Sequence, residues 1–403
     1  MSVSEAATSA LTRVEEIIKL YGPRLCGDES THKAAEYLKK DMENYCDTTK
    51  LETFKVNPKA FLSWVKIADV LYVISIILAW MNVPIFGALS EMLIVMYYVF
   101  ENVLFMKFAD RFFPEKIGKN VYGIIEPTEE VKNTVVYSGH HDSAFIFGFY
   151  EFLPNLFIIR AAVGLLTPLV FSLAMFYESF LLFQSGQGQF NFFGEIPALS
   201  RKMNIFFLFY TPIALSSWNF VKNTGTPGAG DNLIASSIGV ELAKYFSEHR
   251  PKNTRVVIAS FDGEEAGLRG ARAFWDAHAK EYQDAYNFNV DSPFFLKELT
   301  LLKSDINGFQ PLDQKMVDDI IEIGKKNNLQ VNQKDLLLLL GGTDAAEAAR
   351  HGVRTTTLIG LPWTVGNYQP VYHTMLDKPE NVEPEAVDGV FTLAREFILS
   401  KDQ

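Results

Sequence analysis

The chain opens on an amphipathic stretch. Residues 6–20 repeat apolar positions at helical spacing, with Ser4 or Ser2 placed to cap them. A turn-rich run, GPRLCGDEST at 22–31, follows, and Ser30 or Thr31 is placed to cap a second helix whose Ala34, Ala35, Leu38 and Met42 share one face. Residues 50–57 read as a strand. The pattern then changes. Residues 70–89 carry no formal charge over a length sufficient to cross a hydrocarbon core. Residues 92–106 are apolar apart from Glu101 and Asn102, with Pro84 and Gly87 near the predicted turn. A second apolar block holds 161–177 and 203–221, both uncharged, with Pro212 predicted to kink the latter.

Two hydrophobic helical hairpins, 60–113 and 145–222, are therefore expected to interrupt a domain built from 1–59, 114–144 and 223–403. Read as four membrane spans in contact with a lipid bilayer, the alternative being buried core hairpins inside one large soluble fold, they leave those three segments on one side, with Trp64, Trp80 and Trp218 as interface anchors. The first twenty residues lack a basic start followed by an apolar block, so the expectation is a multi-pass integral membrane protein whose catalytic domain faces the cytoplasm. Lys66, Lys107, Arg111, Arg160 and Lys222 flank the segments in agreement with that orientation, whereas Arg201 and Lys202 fall between the spans of the second block, on the other side.

Outside the apolar blocks, strands are predicted at 133–138, 254–260, 300–304 and 353–361, and helices at 232–247, 268–280, 313–327 and 382–399. This alternation predicts an α/β fold with a parallel or mixed sheet. The formal net charge of -11 argues against sequence-independent nucleic-acid binding. Only two cysteines, Cys26 and Cys46, are present, which excludes a disulfide scaffold and predicts free thiols.

Candidate chemistry gathers where strands end. His140 and Asp142 form an H-x-D pair directly after a strand, and a carboxylate two positions on can accept the second ring N–H of a metal-binding imidazole. Asp231 stands in PGAGDN, a glycine-rich loop opening a helix, where a carboxylate can bridge two cations. Glu264 and Glu265 follow a strand in SFDGEEAG, Asp305 follows another in LLKSDINGF, and His373 sits in YHTMLDKPENV before the last helix. Consecutive side chains diverge, so Glu264 and Glu265 should not share a role. Histidine and carboxylate donors without thiolates suit zinc, with cobalt or manganese as substitutes. Tyr372, Tyr368, Thr343, His141 and Asp344 are further candidates for the substrate pocket.

The ordered segments GPRLCGDESTHKAAEYL, VVYSGHHDS, PGAGDNLIAS, VVIASFDGEEAGLRGA, LLKSDINGF, GGTDAAEAARHGV and YHTMLDKPENV resemble the M28 family of zinc peptidases over about 300 residues. The resemblance implies a three-layer α/β sandwich with a central mixed sheet, of the zinc-dependent exopeptidase type, here interrupted by the two hairpins. It implies two zinc ions, with His140 and Asp305 on one, Glu265 and His373 on the other, and Asp231 bridging. Asp142 would orient His140, and Glu264 would be the general base. The implied reaction is peptide-bond hydrolysis, of aminopeptidase type, on short peptides. A metal-dependent amidohydrolase acting on a non-peptide or lipid-linked substrate, and an inactive membrane scaffold, are the alternatives.

Overall fold

The computed structural model describes residues 4–186, 192, 194–362 and 370–402. In chain order its main elements are α1 (Glu5–Tyr21), α2 (Glu29–Met42), β1 (Thr48–Val56), α3 (Trp64–Trp80), α4 (Pro84–Tyr98), β2 (Lys116–Ile125), β3 (Asn133–His140), β4 (Phe145–Phe147), α5 (Gly148–Glu151), α6 (Phe157–Gln184), α7 (Ala198–Ala214) and β5 (Val221–Gly225). The second half adds α8 (Ile234–Glu248), β6 (Thr254–Phe261), α9 (Arg269–His278), β7 (Tyr286–Asp291), β8 (Thr300–Asp305), β9 (Gln310–Pro311), α10 (Gln314–Lys326), β10 (Asn332–Asp335), α11 (Ala345–Arg350), β11 (Arg354–Ile359) and α12 (Pro384–Lys401).

Ser4 caps α1 by accepting from the Ala7 amide at 3.1 Å. Helix α2 begins earlier than its hydroxyls suggest. Asp28 is the N-cap residue, while Ser30 Oγ donates to the Pro23 carbonyl and Thr31 Oγ1 to that of Leu25, tying the helix back to the preceding loop.

The main sheet runs β1-β2-β6-β3-β7-β11-β8-β10, with β9 added beside β8. Its centre is parallel (β6, β3, β7 and β11), whereas β1 and β2 on one flank and β8 on the other run antiparallel to their inner neighbours. Alternation along each strand fixes the two faces. Val135, Tyr137, Val256 and Ile258 pack under α1, α2, α8, α10 and α12, while Val136, Val257 and Ala259 face the layer holding Phe274 and Trp275 of α9 and Ala348 of α11. The result is a three-layer α/β sandwich with a mixed central sheet and two apolar helical insertions.

The apolar blocks fold differently from the expected spans. The stretch 70–89 is not one helix, because the chain turns at 81–83. Asn82 takes a left-handed conformation there, and Pro84 occupies the first turn of α4, where its missing N–H costs nothing. Helices α3 and α7 have 17 residues each, about 25 Å at 1.5 Å per residue, against the roughly 30 Å of a hydrocarbon core. Among the described residues only Pro84–Val103 and Pro154–Gln184 are long and apolar enough to cross a membrane. The four long helices pack on one another through Tyr72, Ile76, Ala79, Ala88, Phe171, Met175, Phe207 and Ala214. Their outer faces remain apolar, with Leu93, Leu173 and Phe209 exposed.

Glu101, the acid inside the first apolar block, faces protein. It pairs with buried Arg269 of α9, which also holds Asp110 at 3.0 Å. Its other oxygen accepts from the Phe108 and Ala109 amides at 3.0 Å. This knot fastens the helical unit to the sheet domain.

Candidate metal centre

Strand order builds the site. β6, β3 and β7 are parallel neighbours, so their C-terminal ends lie side by side, where open α/β sheets present ligands. His140 ends β3, Asp291 ends β7, and Glu264 and Glu265 follow β6. Asp231 arrives from the loop before α8, and His373 from the loop before α12.

Two features hold the Asp231 loop. The Arg24 guanidinium, fully buried, donates to the carbonyls of His141 (2.8 Å), Pro227 (2.9 Å) and Gly228 (2.7 Å), which explains the chemistry of the N-terminal GPRLCG run. The Asp377 carboxylate accepts from the Gly230 amide at 2.7 Å. Gly230 is required by contact, since a Cβ there would lie 2.2 Å from the Phe294 ring.

Asp231 lies between the two imidazoles. Its Oδ1 is 3.4 Å from His140 Nε2, and its Oδ2 is 3.3 Å from His373 Nε2. Asp291 joins the His140 side, and Glu265 joins the His373 side at 3.6 Å. Two three-donor groups, His140–Asp231–Asp291 and Asp231–Glu265–His373, therefore share one carboxylate. Glu264 Oε2 stands 3.8 Å from His140 Nε2. Behind the centre, Asp142 Oδ1 lies 3.3 Å from His140 Nδ1, and the same carboxylate accepts from the Glu264 and Glu265 amides. One acid thus sets both the imidazole and the Glu-Glu turn.

The donor set fits cations. His140 Nε2, Asp231 Oδ2 and Glu265 Oε1 are buried without hydrogen-bond partners, and leaving such groups unmatched is expensive. Burial first, then repulsion among the acids, holds the Glu264 and Glu265 carboxyls well above their ordinary range, and Asp291 is pushed up to about 7. Asp231 goes the other way: burial disfavours its charge, but the two imidazoles outweigh burial and pull it down. A pair of divalent ions would relieve this crowding. The arrangement is consistent with a dinuclear metal site.

The centre opens on a cavity of about 600 Å³. Glu264, Glu265, Tyr372 and His373 line one end, and α3, α4 and α6 roof the rest. The Tyr372 ring stacks on His373 at 4.0 Å between centroids.

Residues 216–398 match the family model Peptidase family M28. The chain carries an M28-family peptidase-like domain. Comparison with curated protein sequences finds no match. Among solved structures, the M28-like chain is similar to a Bacteroides thetaiotaomicron glutaminyl cyclase bound to N-acetylhistamine (TM-score 0.58, 13% identity, 99% of this chain and 100% of that one). It is also similar to a leucine aminopeptidase precursor from the same organism (0.57, 13%, 100% and 99%). A third is BSAP, a zinc aminopeptidase from Bacillus subtilis (0.57, 13%, 99% and 96%). At these identities the likeness concerns the fold. The chain aligns end to end with these solved enzymes and, among its described residues, two helices rather than four are long and apolar enough to span, which overturns the expectation of a multi-pass membrane protein with a cytoplasmic catalytic domain. The apolar helices act here as a roof over the site.

Of the sequence candidates, the structure brings together His140, Asp142, Asp231, Glu264, Glu265 and His373. It does not bring in Asp305. β8 is separated from β7 by β11 and runs antiparallel to it, so its end does not join the neighbouring ends of β6, β3 and β7. The Asp305 carboxylate is instead engaged by Thr343 Oγ1 (2.6 Å), the Thr343 amide (2.8 Å) and the Ile306 amide (2.6 Å). This also removes Thr343 from the pocket candidates. His141 is fully buried, hydrogen-bonded to Ser260 Oγ at 2.8 Å and lowered by burial to about 3, so it packs behind the site as a neutral ring. Asp344 is buried with neither oxygen partnered. Tyr368 lies outside the described residues.

Proposed function

We propose that the chain is a metal-dependent hydrolase of peptide or related amide bonds, with aminopeptidase action as its leading form. The observation that carries this reading is the shared carboxylate: one aspartate between two imidazoles, each completed by another acid, with a separate glutamate beside them. His140, Asp231 and Asp291 would hold one divalent ion, and Asp231, Glu265 and His373 the other. Zinc suits these donors, and cobalt or manganese can replace it. Bound there, the ions would polarise the scissile carbonyl and make water a nucleophile near neutral pH.

The protein's own groups carry the proton. Glu264 takes one from the attacking water at its carboxylate and returns it to the leaving amine. Its carboxylate stays free for this because Glu265, turned toward His373, takes the ligand position. Asp142 fixes the His140 ring and the Glu264–Glu265 backbone together, so base and ligand keep their spacing. Tyr372 stacks on His373 at the cavity wall, beside the reacting groups.

The proposed domain division, a peptidase-like body of 1–59, 114–144 and 223–403 with the inserts 60–113 and 145–222, is supported by the packing of the four long helices on one another. Supplying zinc or cobalt to the purified chain with a panel of aminoacyl-4-nitroanilides and glutaminyl peptides tests the reaction. Release of nitroaniline that disappears in Glu264→Gln supports hydrolysis, whereas cyclisation of glutaminyl peptides without hydrolysis of any panel member would refute it. A second reading, hydrolysis of an amide carrying a large apolar group, is favoured by one observation, the apolar roof of the cavity.

A further inference from the structure

The insertions do more than decorate the fold, because they make a chamber. The cavity that begins at Glu264, Glu265 and His373 continues between the sheet domain and the roof, walled by Trp64, Val65, Phe149, Phe157, Leu165 and Pro168. Its volume of about 600 Å³ lies within the range of sites that enclose a whole ligand of roughly 300–1,000 Å³. Exposed Ile158, Leu338 and Leu339 also line it, so its rim is apolar too.

The polar groups along this chamber are largely committed elsewhere. Asn102 donates to the Phe61 carbonyl (2.9 Å) and Asn307 to that of Val103 (2.9 Å). Thr167 bonds Tyr210, and Ser217 bonds Asp69 at 2.6 Å. Those left over are Trp64 Nε1 and one oxygen each of Asp69 and Glu91, all shut off from water, and Asn155, which is exposed where it lines the cavity. This decides between two occupants. An extended peptide brings an N–H and a C=O with every residue, and each would be buried here without a partner. An alkyl chain brings none, and gains from every methylene withdrawn from water.

We infer that the chamber is a substrate site for a long unbranched alkyl chain attached beside the scissile amide. This rests on the amide-hydrolase reading and names its substrate class. In hydrolysis the water oxygen bonds to the acyl carbon, the C–N bond breaks, and the amine leaves with the transferred proton. The chain can arrive on either side of that bond. Alanine N-alkylamides carry it on the amine side and N-alkanoyl-alanines on the acyl side, and both release free alanine.

The test compares butyl with decyl chains in the two series, following alanine by mass spectrometry with zinc supplied. Each fully buried methylene is worth about a fourfold gain, so six give a ceiling of about four-thousandfold. The expected result is a rise in kcat/KM of at least about thirtyfold in one series, allowing for partial burial. Gly164 lines the chamber in α6, and a Cβ added there meets only Ser217 Cβ, at 3.5 Å. Gly164→Leu should therefore fold, plug the chamber and abolish the chain-length gain. Ala161→Leu provides a second plug on the same helix. Calorimetric titration with decan-1-ol, which cannot ligate a metal as a carboxylate would, should show binding to the parent chain that either plug removes. Flat chain-length dependence in both series, or decan-1-ol binding unchanged by the plugs, would overturn the inference. Decan-1-ol binding lost in both plugs, with no turnover of any substrate, would uphold the chamber and defeat the hydrolase reading instead.

Discussion

Asp291 and Asp305 both end strands, yet their surroundings assign them opposite tasks, and paired alanine variants separate these. Asp305 accepts from Thr343 Oγ1, the Thr343 amide and the Ile306 amide, all away from solvent. Asp305→Ala would leave two buried amides unmatched, at about 1–3 kcal/mol each, so a loss of roughly 2–6 kcal/mol is expected. For a chain of this size that is a fall of about 2–7 °C in the unfolding midpoint. Asp291 accepts a single hydrogen bond, from Ser292 Oγ at 2.9 Å, and otherwise faces the acids and His140 of the cluster. Asp291→Ala should cost the metal-free protein no more than about 1 kcal/mol. It removes a donor outright, so its effect on the affinity of one metal position should exceed the about 10–100-fold typical of losing an outer partner. Thermal unfolding with and without chelator, beside elemental analysis of the dialysed proteins, reads both. A stable Asp305→Ala protein that has lost a metal, with an Asp291→Ala protein that keeps two, would refute the assignment.

Other substitutions probe how the centre is held. Gly230→Ala forces a Cβ against the Phe294 ring, an overpacking cost of about 1–3 kcal/mol, and should weaken metal binding by shifting Asp231; unchanged zinc affinity by competition titration would speak against it. Glu101→Ala leaves buried Arg269 with Asp110 as its remaining acid and the Phe108 and Ala109 amides unmatched, so a destabilisation of about 2–6 kcal/mol in urea is expected, and a change under 1 kcal/mol would show that the knot is not what fastens the helical unit. Cys26 is raised well above its usual value by burial, and Cys46 is pushed up by burial to about 12. Both thiols should therefore resist a disulfide reagent at pH 8 until the chain is unfolded, since only the thiolate reacts; rapid labelling of the native protein would contradict the packing around them.

The fold class was legible because the central strands alternate cleanly between the two faces and the helices show one apolar stripe each. His140, Asp231, Glu264, Glu265 and His373 stood out as acids and histidines at strand ends or in loops, and the fold does bring them together. Asp291 was missed because β7 does not look like a central strand. Its Asn287 and Asn289 are buried, bonded to Ser138 at 2.8 Å, with Asn289 reaching Thr357 and Asn287 accepting from Thr355, a polar ladder invisible to hydropathy. Without that strand, the aspartate at its end had no reason to be noticed, and Asp305, which follows a more apolar strand, took its place. The apolar blocks misled for a related reason. A run of uncharged residues reports burial without saying what buries it, and Glu101 could not announce its partner Arg269 from a distance in sequence.

The central claim is a pair of cations sharing Asp231, and counting them tests it most directly. The chain, saturated with zinc and freed of excess by gel filtration, should carry two zinc ions per polypeptide by elemental analysis. Glu264→Gln should carry the same two while losing turnover. One ion per chain, or none, would contradict the account.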